Sequence, residues 1–222
     1  ALGSEVMVHE TGNLLAETAF TRGGDVEKAF DSSAHIVSAR YTTQLVEHGF
    51  LETETAIARP EEDDKIRIYT QSQGIYEDRH GIAGILDLPQ EKVVATLVPC
   101  GGAFGGKEDL TVQHHAALYA YHLNRPVKVS LTREESIRMH VKRHPITMDY
   151  RLGCDENGRL TALSARIIGD TGAYASLGGE VLNRAAGHAA GGYHVPVVDV
   201  NAKAVYTNNL PAGAMRGFGV NQ

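Results

Sequence analysis

The 222 residues carry 27 acidic and 21 basic side chains, a net charge of −6 with histidine neutral, and are 42% apolar and 22% charged. Such a chain is long enough for one large domain or two small ones, and its composition excludes collagen, coiled-coil and disordered chains; the acidic balance excludes capture of nucleic acid by a bulk positive field. No run approaches about 18 consecutive apolar residues, the first residues lack the pattern of a secretory signal, and Cys100 and Cys154 make no disulfide framework, so a cytoplasmic protein without membrane segments is expected.

Residues 1–40 contain a turn at Gly24-Asp25-Val26-Glu27 and a short helix over 26–33. Loose alternation over 38–58 reads as strands, and Pro60-Glu-Glu-Asp-Asp64 as a solvated turn. Ile66-Arg-Ile-Tyr-Thr70 alternates as a strand should. A helix follows over 76–86 and ends near Pro89, and 93–98 has the continuous apolar character of a buried strand. Then comes the glycine-rich run 100–107 and a long helix over about 110–123, stopped by Arg125-Pro126. Residues 127–131 form another strand, so 66–131 reads as a layered α/β unit. Thr132-Arg-Glu-Glu135 is a capping box that opens a short helix to about His140. Strands over 146–152 and 160–168 are joined by a hairpin at Asn157-Gly158. A glycine-rich stretch over 169–179, a helix over 180–190, a strand or strand pair over 195–206 and a closing loop over 208–222 complete an α+β second part. The fold class expected is α+β with mixed α/β layers, two subdomains meeting near residues 140–145 without a linker. The chain starts without Met and stops inside a loop, and is expected to be a fragment of a longer polypeptide.

Glycine is the one unusual number: 24 residues, about 11% against a usual value of about 7%. The glycines cluster rather than repeat. In the first cluster, Gly101-x4-Gly106-Lys107 matches the front of a P-loop, but Glu108 stands where a magnesium-holding hydroxyl is needed. Ala103 breaks the dinucleotide fingerprint. A loop between a strand end and a helix start still suits an oxyanion-bearing ligand; a tight turn with Phe104 plugging the core is the plain alternative. In the second cluster, Arg216 offers a fork of donors and Phe218 a ring for a flat ligand. Gln71 ends a strand, where an amide can both donate and accept. The histidines include His114-His115 and His140-x3-His144. They show no metal-ligand spacing with a complete set of partners and read as structural. No Gly-x-Ser-x-Gly elbow is present.

The motifs Glu47-His48-x2-Leu51-Glu52, Thr70-Gln71, Gly101-Gly-Ala-Phe104-Gly-Gly-Lys107-Glu108, Arg125-Pro126-Val127, Arg143-His144-Pro145, Asn183-Arg184-Ala185 and Arg216-Gly217-Phe218-Gly219 occur in this order. Together the chain resembles the molybdenum-binding subunit of the xanthine dehydrogenase/aldehyde oxidase (molybdenum hydroxylase) family; residues 1–35 add little. The resemblance implies a partial molybdenum cofactor-binding domain over 1–222. Gln71, Phe104, Gly105 and Arg216 resemble cofactor-binding positions, with Gln71 and Phe104 near molybdenum but no residue ligating it. Glu108 and Arg184 resemble a pair that clamps a purine edge, and Phe218 a ring that stacks on the substrate. The implied reaction hydroxylates a purine or related N-heterocycle with oxygen derived from water. Electrons leave through 2Fe-2S and FAD partners on other domains or subunits. The implied cofactor is molybdenum-molybdopterin in its dinucleotide form.

No catalytic residue is expected in this fragment, because the family's general-base Glu lies downstream of the Arg216 loop. The fragment alone is therefore expected to be inactive and to bind no cofactor. Aldehyde oxidase relatives generally lack the polar Glu/Arg pair, which favours a purine. Carbon monoxide dehydrogenases place Cys where this chain has Gly217. Ala103 departs from the Gly of many relatives. The alternatives are an aldehyde oxidase-type enzyme of the same family, a P-loop-like nucleotide-binding module without redox chemistry, and a non-catalytic relative that keeps only the fold.

Overall fold

The computed structural model describes all residues 1–222, which form two compact units: Ala1–Val46 with Lys142–Gln222, and Glu47–Val141. The first unit is therefore discontinuous in sequence.

In the first unit, β1 (Leu14–Arg22), β2 (His35–Thr42), β8 (Ile146–Cys154), β9 (Leu160–Gly172) and β10 (Val197–Tyr206) make a sheet in the order β1-β10-β9-β8-β2. β9 and β10 are parallel and are connected through α5 (Gly178–Gly187); every other neighbouring pair is antiparallel. The β8–β9 connection turns at Gly158, whose φ of +78° is the left-handed conformation an Asn-Gly hairpin needs. Alternation buries Leu163, Ala165 and Ile167 of β9 with Val198, Val200 and Ala202 of β10 beneath Val181 and Leu182 of α5. The short helix α1 (Val26–Asp31) is capped by Asp25, which accepts from the Glu27 and Lys28 amides. Its Phe30 is buried, with the Arg151 guanidinium 3.9 Å from the ring centroid. Arg151 alternates along β8 with Tyr150 and Leu152, which pack toward the α5 side. The two helices therefore take opposite faces of the sheet. A two-residue pair, β7 (Lys142–Arg143) with β11 (Ala212–Gly213), anchors the C-terminal loop.

In the second unit, β3 (Thr55–Glu61), β4 (Lys65–Thr70), β5 (Val93–Leu97) and β6 (Val127–Ser130) form a sheet in the order β5-β4-β3-β6. The parallel β4–β5 pair is joined through α2 (Ile75–Leu86). Ile66 and Ile68 point, with Ala56 and Ala58, at Ile82 and Leu86 of α2 and at Ala116, Ala117 and Ala120 of α3 (Gln113–Leu123). The helix α4 (Arg133–Met139) starts at the Thr132–Glu135 capping box.

The structure corrects several element readings. The 93–98 stretch is an edge strand, buried only at Val93, because β4 pairs with it on one side and nothing pairs on the other. The long helix begins at Gln113, after residues 108–112 have left the glycine loop as turns and irregular chain. The later helix occupies Gly178–Gly187 rather than 180–190. Residues 43–54 form no strand. Strand β1 has no counterpart in the sequence reading. No helix is long and apolar enough to cross a membrane.

Candidate functional site

The glycine loop of the second unit is shaped by three left-handed residues in four: Gly102 at φ +101°, Phe104 at +55° and Gly105 at +98°. A phenylalanine in that region is unusual and costs about 1–3 kcal/mol, which the surroundings must supply. They do so from behind the loop. The Gly105 amide donates to Gln73 Oε1 at 2.9 Å, the Lys107 amide to the same oxygen at 3.4 Å, and Gln73 returns its amide to the Lys107 carbonyl at 2.9 Å. The Gly101 amide donates to the Glu52 carboxylate. A side chain on Gly106 would sit 2.8 Å from His48 Cγ, and one on Gly101 would sit 2.6 Å from Glu52 Cβ. Packing onto residues 48–52 thus requires these two glycines. The backbone amides the sequence assigns to a ligand are in part committed to this support. The result is a stiff loop that leaves Phe104 39% exposed.

Gln71 follows β4 directly and is buried. The Lys107 ammonium donates to Gln71 Oε1 at 3.3 Å and to the Glu52 carbonyl at 2.8 Å, and lies 4.6 Å from the Phe50 ring centroid. An ammonium can only donate, so this contact fixes which end of the Gln71 amide is oxygen and leaves its NH₂ as the donor end. Lys107 is itself 3% exposed, turned into the protein. A P-loop lysine reaches outward to phosphates, so this placement argues against the nucleotide-binding alternative. Glu108 is half-buried; burial, and next the charge of Asp109, push its carboxyl above the usual carboxylate range. Beneath Gln71, burial pushes the Asp78 carboxyl up to about 6 against opposing hydrogen bonds from Ser72, Thr70 and Gln113.

The other predicted residues lie in the first unit. Gly217, Phe218 and Gly219 are three successive left-handed residues at φ +91°, +50° and +92°. The Phe218 amide closes a turn onto the Met215 carbonyl at 2.7 Å. Phe218 packs against the core, with the Arg184 guanidinium 5.7 Å from its ring centroid. Arg184 and Arg216 are exposed. The structure therefore brings Gln71, Phe104, Gly105 and Glu108 together around one loop, and sets Arg184 of α5 over Phe218 of another.

Sequence reasoning missed a third cluster. His140 caps the end of α4 and is buried, with Nε2 2.9 Å from Glu47 Oε1 and Nδ1 3.1 Å from Glu54 Oε1. His48 is also buried, its ring 5.3 Å from that of His140. Burial raises the Glu54 carboxyl, but hydrogen bonds led by those from His140 and Ser136 overcome it and hold the group below the usual range. The only sequence signal was Glu47-His48 itself; His140 was paired with His144, which instead lies buried beside Thr171 of the first unit. Burial pushes the His144 ring down to about 4, so it is neutral and structural.

Comparison with known proteins identifies the family. The Molybdopterin cofactor-binding domain family matches residues 8–222, including the N-terminal residues that carry little of the motif pattern. A probable xanthine dehydrogenase subunit of Bacillus subtilis is 43% identical over 215 residues, covering 97% of this chain and 29% of the relative. The nicotinate dehydrogenase large molybdopterin subunit of Eubacterium barkeri is 44% identical over 199 residues, covering 90% of this chain and 47% of the relative. Among solved structures, the aldehyde oxidoreductase of Desulfovibrio gigas superposes with a TM-score of 0.93 at 26% identity, covering 98% of this chain and 24% of that one. The chain thus spans between a quarter and a half of these proteins.

Proposed function

Because this chain belongs to the molybdopterin cofactor-binding domain family, we propose that it supplies part of the cofactor and substrate walls of a molybdenum hydroxylase acting on a purine or related N-heterocycle. Gln71, Phe104, Gly105 and Arg216 would hold the molybdopterin, in its dinucleotide form. The donor set supports this: the free end of the Gln71 amide donates, and so does every polar atom of the Arg216 side chain, as an oxygen-rich anionic group requires. When bound, the molybdenum centre supplies two-electron oxidation with oxygen drawn from water.

The chain's own residues do the rest. Phe218 gives a flat substrate a ring to lie on, and Arg184, whose guanidinium carbon lies over that ring 5.7 Å from its centroid, offers donors to a polar substrate edge. Arg184 stabilises negative charge that develops on the heterocycle. Glu108, whose carboxyl holds its proton to higher pH than usual, can donate to a substrate carbonyl or ring nitrogen. The Arg184–Phe218 pairing is the observation that carries this reading. The remaining polypeptide would supply the general-base Glu, and 2Fe-2S and FAD domains or subunits would take the electrons. The 222-residue chain by itself would be inactive, and the whole enzyme would work in the cytoplasm.

The test uses the full-length enzyme. Glu108→Val and Arg184→Met are each expected to lower kcat/KM for xanthine about 30- to 1000-fold while sparing an aromatic aldehyde. Unchanged xanthine turnover would remove the purine clamp. A second reading, a carboxylated pyridine, rests on the nicotinate dehydrogenase relative. It predicts that Arg184→Met alone suppresses nicotinate turnover.

A further inference from the structure

We infer that Lys107 is a positioning residue for the cofactor: its buried ammonium locks the Gln71 amide with the NH₂ end outward and puts a positive charge behind it. This rests on the reading that Gln71 holds the molybdopterin. Gln71 and Gln73 leave the end of β4 together, and both meet Lys107. The Gln73 amide donates to the Lys107 carbonyl at 2.9 Å, and the Lys107 amide donates to Gln73 Oε1 at 3.4 Å. The backbone of Lys107 is thereby tied to the segment that carries Gln71, and its side chain turns inward to 3% exposure.

An ammonium has three N–H donors. Here they meet three acceptors: the Glu52 carbonyl at 2.8 Å, Gln71 Oε1 at 3.3 Å and Cys100 Sγ at 3.5 Å. The Phe50 ring, whose centroid is 4.6 Å from Nζ, closes a further side. The ammonium is thus committed to the protein, and what it does for a ligand passes through Gln71. The two ends of a glutamine amide have nearly the same shape, so shape alone does not choose between them. Lys107 makes that choice. With Oε1 held by an N–H donor, the NH₂ end is the one offered to an oxygen of the cofactor; a reversed amide would set oxygen against oxygen. None of the three acceptors is a carboxylate, so the positive charge has no counter-ion in contact. The buried Glu54 carboxylate, which borders the same small cavity as Gln71 and Lys107, is engaged by His140. A buried charge is costly until an opposite charge comes near, so an anionic group held by Gln71 relieves that cost.

The experiment takes the full-length enzyme and follows release of molybdopterin, read as fluorescence of the oxidised pterin, with molybdenum counted in the same samples. Lys107→Met and Gln71→Leu are each expected to release the cofactor about tenfold faster than the unsubstituted enzyme. Because Lys107 acts through Gln71, the double variant should release it no faster than Gln71→Leu alone. A lysine that merely braced the loop would give two losses that multiply. Multiplied losses overturn the inference, as does release from Lys107→Met at the unsubstituted rate. Gln71→Glu keeps an acceptor for Lys107 but has no donor, so it decides the case should Lys107→Met fail to fold. It is expected to fold and to release the cofactor about tenfold faster; release at the unsubstituted rate overturns the inference. Release from Gln71→Leu at the unsubstituted rate removes the cofactor reading of Gln71 and the inference with it, so the two failures are told apart.

Discussion

Replacing Gly219 with alanine would place a methyl group 2.2 Å from the Val181 carbonyl oxygen and 2.9 Å from the Ala185 amide, at a φ of +92°. Neither neighbour is a side-chain tip that can swing away; both are backbone of α5. The expected cost is about 2–4 kcal/mol of stability, read as a drop in the urea midpoint at constant slope. A loss below about 1 kcal/mol would show that the loop does not rest on α5. This residue also illustrates what the sequence conveys. The Arg-Gly-Phe-Gly motif was legible, and so was the aromatic beside an arginine. The reason for the second glycine was not, because its constraint comes from a helix more than thirty residues earlier. Lys107 shows the same limit. Its position beside two glycines suggests a phosphate ligand, and only the fold reveals the Glu52 carbonyl, the Gln71 amide and the Phe50 ring that draw it inward.

At the scale of elements, the buried network at the end of β4 makes a pH-dependent prediction. Asp78 Oδ2 accepts from the Thr70 hydroxyl at 3.2 Å and the Gln113 amide at 3.4 Å, joining β4, α2 and α3. Its carboxyl titrates near 6 in the fold against 3.8 when unperturbed. The folded state therefore holds this proton more tightly than the unfolded chain does. Its contribution is most favourable below about pH 4, and it is lost as pH rises toward 6; above that the charged group costs about 3 kcal/mol. Asp78→Asn keeps the shape and removes the charge. Thermal melts should show it more stable than the unsubstituted protein at pH 8, with the pH 4–6 slope reduced. An unchanged slope would assign that pH dependence to other groups.

The capping box makes a smaller claim. Thr132 accepts from the Glu135 amide at 3.3 Å, and the Glu135 carboxylate accepts from the Thr132 amide at 2.7 Å. Thr132→Ala should cost about 1 kcal/mol by denaturant titration. That box, the alternation of β4 and the Asn-Gly hairpin were legible because each is written in a few adjacent residues. Strand β1 was not, because it is an outer strand of its sheet and lies mostly exposed, so its alternation is weak. The cluster of His48 and His140 with Glu47 escaped for a different reason: its residues come from a loop and a helix end far apart in sequence.

For the whole molecule, the grouping of residues 1–46 with 142–222 has a consequence for dissection. The Arg143 amide donates to the Val46 carbonyl at 3.1 Å, so the two points where the first unit's chain is interrupted are hydrogen-bonded neighbours. A short connection can therefore replace residues 47–141 without straining the first unit, and closing a short loop costs little. The first unit keeps all five strands of its sheet, and its buried cluster draws only on residues of that unit. A protein in which a Gly/Ser linker of about four residues joins Val46 to Lys142 should give a dispersed amide spectrum and a single cooperative transition. Its urea slope should be roughly three-fifths of the parent's, in proportion to its share of the residues. A truncation that instead deletes residues 1–46 removes both outer strands and leaves β10 and β8 with open edges. It should aggregate. If the linked protein lost its cooperative transition, the first unit would not be an independent core, and its sheet would depend on residues 47–141.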